Sequence, residues 1–283
     1  MHTRVATTAY EAAPIHATSA FSARDGEFTA KDAGAVVVEG KGAVTLTGAK
    51  LTAAAGNGRG VLLEQTGNNT GKPSFSMTGG SLSYTCAPDL TPACGEGSKP
   101  RGQNQPAALF SAANATEEIR IEDVTVTNNT PLAARDNGTL LTAGSFLPQS
   151  AENANGAQVI FRAEGTTLKG DVIVDRLSTA ALSILADGSG QGSTLAGAIN
   201  SAGKAKTVSL TLDPASLWVV TGNSYVTSLD GLDLDGKTVR NVDGGGHCVF
   251  YSGEINGQSS ATVYTLAGGG YLAPRDTPGL GCD

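Results

Sequence analysis

The feature that most constrains this chain is a rhythm of two. Runs such as Val36-Val37-Val38-Glu39, Ala43-Val44-Thr45-Leu46-Thr47, Ser74-Phe75-Ser76-Met77-Thr78 and Val208-Ser209-Leu210-Thr211-Leu212 alternate apolar side chains with Thr, Ser or charge. Successive side chains on a strand point to opposite faces, so this alternation describes strands with one buried face. Between the runs stand Gly-Lys, Asn-Gly, Gly-Gly and Asp-Gly pairs. Glycine takes positive φ without steric cost, so these pairs mark tight turns. No segment sustains a 3.6-residue apolar rhythm, and the chain is expected to be nearly all β.

The runs come in threes. Gly60–Thr66, Ser74–Thr78 and Ser81–Tyr84 form one triplet; Ala107–Ala112, Glu118–Ile121 and Val124–Thr127 form another. Three short strands in a coil of roughly 20–30 residues predict a right-handed parallel β-helix, a solenoid. A β-sandwich is the alternative, but the runs lie close together and are too many for two sheets. Composition agrees: the chain has 38 Gly, 16% charged and 5% aromatic residues, against typical values of ~7% Gly and ~25% charge. Coils stacked ~4.8 Å apart leave a narrow interior with little room for large rings. Evenly spaced Val, Leu and Ile argue against disorder. The expected division is an N-terminal segment or cap over 1–25, a β-helix over 26–267 and a Gly-rich C-terminal cap over 268–283.

A net charge of −7 without any basic run argues against nucleic acid or an anionic membrane as partner. No stretch of about 18 apolar residues offers a membrane span. The start, Met1-His2-Thr3-Arg4-Val5-Ala6, lacks an apolar leader core, so the chain is either cytosolic or has lost a signal peptide. Of the three pairings open to four cysteines, Cys86–Cys94 with Cys248–Cys282 is the simplest, and it implies oxidising surroundings. Zinc has against it the absence of a C-x-x-C pair and only three histidines, His2, His16 and His247; four buried thiols are the third option.

Gly79–Tyr84, Leu195–Asn200, Val208–Leu212 and Leu217–Leu229 resemble bacterial surface β-helix proteins of the adhesin and autotransporter-passenger kind, and among these the carbohydrate-binding ones. Gly236–Val239 and Tyr264–Gly270 extend the similarity, whose clear part begins near Val159. The resemblance implies a secreted or cell-surface protein that binds carbohydrate or a host surface. It carries over no catalytic residues, because no matching motif is present. The chain departs from autotransporters in lacking a C-terminal pattern of alternating membrane strands.

Motifs that bear chemistry are scarce. There is no G-x-S-x-G, H-E-x-x-H, Walker A or dinucleotide fingerprint. Gly244-Gly245-Gly246-His247-Cys248 fits a turn before a disulfide cysteine better than a Cys/His nucleophile. The cluster Asp230 to Gly236, with Asp233 and Asp235, invites calcium, or with Arg240, Asp243 and His247 acid–base work on a sugar; solvated carboxylates beside a strand are the plainer account. Trp218 and Tyr225 offer rings for stacking on sugars, although the apolar neighbours of Trp218 suit packing. Thr85–Pro106, which contains Arg101, is expected to protrude as a recognition loop, with Ser145–Gly156 as a second insertion. N-x-S/T triplets begin at Asn68, Asn114, Asn128 and Asn137 and read as turn residues.

The expectation is a non-catalytic binder of a polysaccharide or surface glycan through Arg101, Trp218, Tyr225, Asp233, Asp235 and Arg240. No cofactor is implied, with calcium left open, and the oligomeric state is undetermined. A polysaccharide lyase or glycoside hydrolase with an acidic groove is the rival. Ice binding through Thr rows is weaker, because Thr45/Thr47, Thr125/Thr127 and Thr207 onward show no coil-to-coil register in the sequence.

Overall fold

The computed structural model describes residues 3–54, 58–65, 71–85, 106–129, 138–145 and 155–282, and among these every regular element is a strand. Three sheets grow in step. The first contains β1 (Arg4–Thr7), β4 (Glu27–Ala30), β7 (Lys50–Ala54), β10 (Ser81–Thr85) and β13 (Thr125–Asn129). The second contains β2 (Ile15–Ala17), β5 (Val36–Glu39), β8 (Arg59–Glu64), β11 (Ala108–Ala113), β14 (Thr139–Gly144) and β17 (Asp171–Val174). The third runs through β3 (Ala20–Arg24), β6 (Ala43–Thr47), β9 (Ser74–Thr78), β12 (Thr116–Glu122), β15 (Gln158–Glu164), β18 (Thr179–Leu185), β20 (Thr207–Leu212), β23 (Ser228–Asp230), β27 (Glu254–Ile255) and β28 (Gln258–Ser259). Each early strand pairs in parallel with the third strand after it, so every passage of the chain adds one strand to each sheet.

A fourth sheet takes over toward the C-terminus. It stacks β16 (Thr167–Lys169), β19 (Thr194–Ala196), β21 (Leu217–Val219), β25 (Thr238–Asp243) and β29 (Tyr264–Ala267), then continues through β30 (Tyr271–Pro274), β26 (Cys248–Tyr251) and β22 (Ser224–Val226). The hairpin pair β29–β30 is antiparallel, as are β27–β28 and the pair of β24 (Leu234–Asp235) with β25. A bridge from Val172 to Ile199 and the Tyr225 N–H bond to the Ile199 carbonyl (3.0 Å) link β17 toward β22.

The registers explain the period-two pattern. In the third sheet Val44, Phe75, Ile119, Phe161, Leu182, Leu210, Leu229 and Ile255 fall on one another coil after coil, each at most 3% exposed. Burying each such side chain contributes about 1.5–3 kcal/mol. Phe110 of the second sheet reaches across to this ladder, 5.5 Å edge-on from Phe161 and 6.3 Å from Phe75, so the sheets share one core. Strands β8, β11 and β14 depart from alternation: they are buried on both faces almost throughout. The pairing begins within residues 1–25, where β1, β2 and β3 already hold the registers of the coils that follow. It continues past Gly268 in β30, and Cys248 is bonded to Cys282 across a Cα–Cα distance of 5.6 Å. Cys86 and Cys94 lie outside the described residues.

One turn recurs and places the site described next. Directly after successive strands of the third sheet come Asp25, Gly48, Gly79, Asp123 and Gly165, with φ of 52°, 63°, 65°, 55° and 58°. Each donates its N–H to the last residue of the next strand in that sheet, as in Asp123 to the Glu164 carbonyl (3.0 Å) and Gly165 to the Leu185 carbonyl (3.3 Å). Only Gly takes this left-handed geometry freely, and Asp is among the few residues that tolerate it. The side chain of an Asp at this position lies over the next coil, so that coil needs glycine: a Cβ on Gly48 would stand 2.3 Å from Asp25 Oδ1, and one on Gly165 would stand 2.5 Å from Asp123 Oδ1.

Candidate functional site

The bare backbone of Gly165 opens a cleft of about 520 Å³ between the third sheet and the strands that follow it, lined by Asp123, Val124, Thr125, Val126, Gly165, Thr167, Asp187 and Gln191. Asp123 approaches Gly165 from one coil and Asp187 from the other. Buried hydroxyls support the wall from behind. Thr166 Oγ1 accepts the Val124 N–H (3.3 Å), Ser193 Oγ accepts that of Thr166 (3.1 Å), and Ser216 Oγ accepts that of Ser193 (3.0 Å). Each coil thus caps a backbone donor of the coil before it.

The two carboxyls converge there: Asp123 Oδ1 and Asp187 Oδ2 lie 2.5 and 3.0 Å from the place a Gly165 Cβ would take. Asp187 Oδ1 accepts from the Ser189 hydroxyl (2.7 Å), the Ser189 N–H (2.8 Å) and the Gln191 N–H (2.9 Å). Led by the Ser189 hydroxyl, these donors hold Asp187 below the usual carboxylate range. Asp123 is pushed the other way, first by desolvation, then by its contact with Asp187 and the negative charges of Asp187, Glu122 and Glu164. Asp123 therefore holds a proton more readily than Asp187 does.

On the exposed face of the third sheet beside this cleft, two copies of an R-x-E pattern interlock. Arg162 donates to Glu164 (2.8 Å), while Arg120 lies 2.9 Å from Glu164 and 3.2 Å from Glu122. The hydrogen bond from Arg162 leads the depression of the Glu164 carboxyl. Three positions before Arg120, Glu117 points inward and is fully buried. Its Oε1 accepts the Ala115 N–H (3.1 Å), but burial pushes the carboxyl up to about 9, so it is a neutral acid near pH 7.

The residues singled out from sequence are scattered. Trp218 lies wholly within the core with its indole N–H on the Gly197 carbonyl (2.9 Å); its place at an inward strand position removes it from any ligand platform. Tyr225 is half-buried, stacked on Phe250 at 5.1 Å under the Arg275 guanidinium (5.3 Å), and Arg275 also donates to the Gly203 carbonyl (2.7 Å). That stack ties the C-terminal segment to an earlier coil. Asp233, Asp235 and Arg240 do come together in the β24–β25 hairpin, where Arg240 pairs with Asp235 and donates its N–H to the Asp233 carbonyl (2.9 Å). Arg101 lies outside the described residues, as do 86–105 and 146–154 of the two expected loops, Asn68 and Asn137.

Among the described residues no group of three His, Cys, Asp or Glu side chains is disposed to hold a metal. Cys248 is in a disulfide and serves no nucleophilic role. Asn114 sits at φ 64°, in keeping with its expected place in a turn, whereas Asn128 lies within β13, where its amide donates to the carbonyls of Thr139 (3.0 Å) and Lys169 (2.9 Å). Among the described residues no helix is long and apolar enough to cross a membrane.

Asp123, Asp187 and Gln191 were not found from sequence. The available signals were the Asp or Gly that follows each of the first five strands of the third sheet, and the R-x-E copies Arg120-Ile121-Glu122 and Arg162-Ala163-Glu164. No family model matches this chain, and neither a curated protein nor a solved structure matches it.

Proposed function

We propose that this chain is a right-handed parallel β-helix, secreted or displayed at a cell surface, that binds a neutral glycan in the Asp123–Asp187 cleft without acting on it chemically. Pairing of each early strand with the third after it supports the solenoid, and the Cys248–Cys282 bond supports an oxidising compartment. The cleft carries the binding reading. It presents carboxylate oxygens, the hydroxyls of Thr125 and Thr167 and the amide of Gln191, with Val124 and Val126 also in the lining, a polar rim suited to the hydroxyls of sugars. The net charge of −7 and the two carboxyls disfavour polyuronates. The adhesin-like resemblance points the same way.

A hydrolytic reading rests on the same pair. Glycoside hydrolases hold their carboxyl groups about 5–5.5 Å or 6.5–9.5 Å apart to admit nucleophile or water; here both carboxyls flank the bare backbone of Gly165. Binding to glycan arrays and to insoluble neutral polysaccharides tests the proposal. The wild-type protein is expected to be retained, and Asp187→Asn to weaken retention ten- to a hundredfold, the worth of a hydrogen bond to a charged group. Release of new reducing ends would establish hydrolysis instead; a folded protein that no glycan retains would overturn binding.

A further inference from the structure

A second polar cleft lies at the other end of the same three strands. It encloses about 290 Å³ where β12, β15 and β18 begin, and Thr116, Gln158, Thr179, Asn155 and Lys206 are among its lining residues. Gly156, also in the lining, lets backbone pack closely there, since a Cβ would meet the Leu177 carbonyl oxygen at 2.1 Å. The acidic cleft begins where those strands end, at Asp123, Gly165 and Asp187. At ~3.3 Å per residue the seven steps from Thr116 to Asp123 span about 23 Å.

The surface between the clefts suits a chain that crosses it. Thr116, Gln158 and Thr179 stand side by side in register, followed by Glu118, Ile160 and Ala181, then Arg120, Arg162 and Ser183. Ile160, 48% exposed, sets an apolar side chain midway along this surface. Both guanidinium groups are already paired with Glu164, so a neutral ligand crosses without leaving a charge unmatched, and an anionic one finds no free cation in that row.

We infer that one extended, neutral oligosaccharide lies along the strand direction of the third sheet, from the Thr116–Gln158–Thr179 cleft over Ile160 to the Asp123–Asp187 cleft. This rests on the glycan-binding reading above and adds the path, the minimum length and the second site. Two weak sites joined by one ligand act by effective concentration, so length converts into affinity.

The test is calorimetric titration with soluble glucose and N-acetylglucosamine oligomers from two to six units. The hexamer of the bound series should bind at least tenfold more tightly than its dimer. The pair Gln158→Ala with Thr179→Val should erase most of that gain, and so should Ile160→Glu, which sets a charge on an exposed position mid-path; a thermal melt verifies that each variant is folded. Equal affinity for dimer and hexamer, or unchanged hexamer binding in the second-cleft and Ile160 variants while Asp187→Asn still abolishes it, would overturn the path and leave the single-site reading intact. If no oligomer binds the folded wild-type protein, both fall.

Discussion

Strands β12, β15 and β18 are seven residues long and paired in unbroken register. Strands β24, β27 and β28 are two residues long and take part in antiparallel pairs. The first region is held by neighbours on both sides, with an apolar ladder inside and ion pairs outside. The second has neighbours on one side and relies on other devices: the Cys248–Cys282 bond, the β29–β30 hairpin, the Tyr225–Phe250–Arg275 stack, and the Asn241 side chain, which accepts from Asp233 N–H and donates to the Gly231 carbonyl (both 2.9 Å). A stack of parallel strands supports its middle by repetition and its end by cross-links. The clefts belong to the middle, where a rigid face can hold their geometry.

The comparison breaks most visibly at Trp218, where the two regions meet. β21 pairs with β19 on one side and β25 on the other, so Trp218→Ala should empty the core at the junction and cost about 3–5 kcal/mol. Urea unfolding should then show the segment after Leu217 separating from the coils before it; a single cooperative loss with unchanged midpoint would contradict that. Next comes the disulfide, which closes a 34-residue separation. Its reduction should remove about 3–4 kcal/mol by loop-closure entropy, and limited proteolysis should cut after Leu234 before it cuts within 158–185.

Glu117 sharpens the contrast from the other side, because it is a titratable group inside the well-stacked middle. Its folded value of about 9 lies far above the ordinary glutamate value of about 4.5. The folded state therefore holds a proton that the unfolded state releases, and stability is fully present below about pH 4.5 and falls as pH rises through about 9. Glu117→Gln should be near neutral at pH 4 and stabilising by ~2–3 kcal/mol at pH 7, measured as a shift in urea midpoint. An equal effect at both pH values would contradict the buried neutral acid. The smallest effect is local. Gly165→Ala forces a side chain into φ +58° and against Asp123, costing about 1–2 kcal/mol, whereas Gly188→Ala, with nothing within 4 Å of its added Cβ, should stay within about 0.5 kcal/mol of wild type.

The strands and their buried faces were legible because period-two alternation is local: Val44, Leu46, Phe75 and Met77 announce themselves in any window. The registers were not, because paired residues lie at uneven separations. Ser209 pairs with Ser228, but Ser74 pairs with Glu118 across a long connection. The same unevenness hid hydroxyls that do align, Thr29 with Thr52, then Ser83 and Thr127. The candidate site was missed for this reason: Asp123 and Asp187 meet only because one whole coil, with glycine at 165, lies between them. Asp233, Asp235 and Arg240 were visible because a hairpin joins them within a few residues. Trp218 drew attention by its chemistry, yet its place at an inward position, between Leu217 and Val219, already favoured the core.

Hydrogen exchange read by mass spectrometry, with and without a saturating neutral hexasaccharide from the series above, tests the account most directly. The prediction is that amides of both clefts, over 114–116 and 156–158 at one end and 123–126 and 187–191 at the other, slow together while 234–282 exchanges as before. Protection confined to one cleft, or centred on the Tyr225–Phe250–Arg275 stack and the C-terminal end, would contradict it.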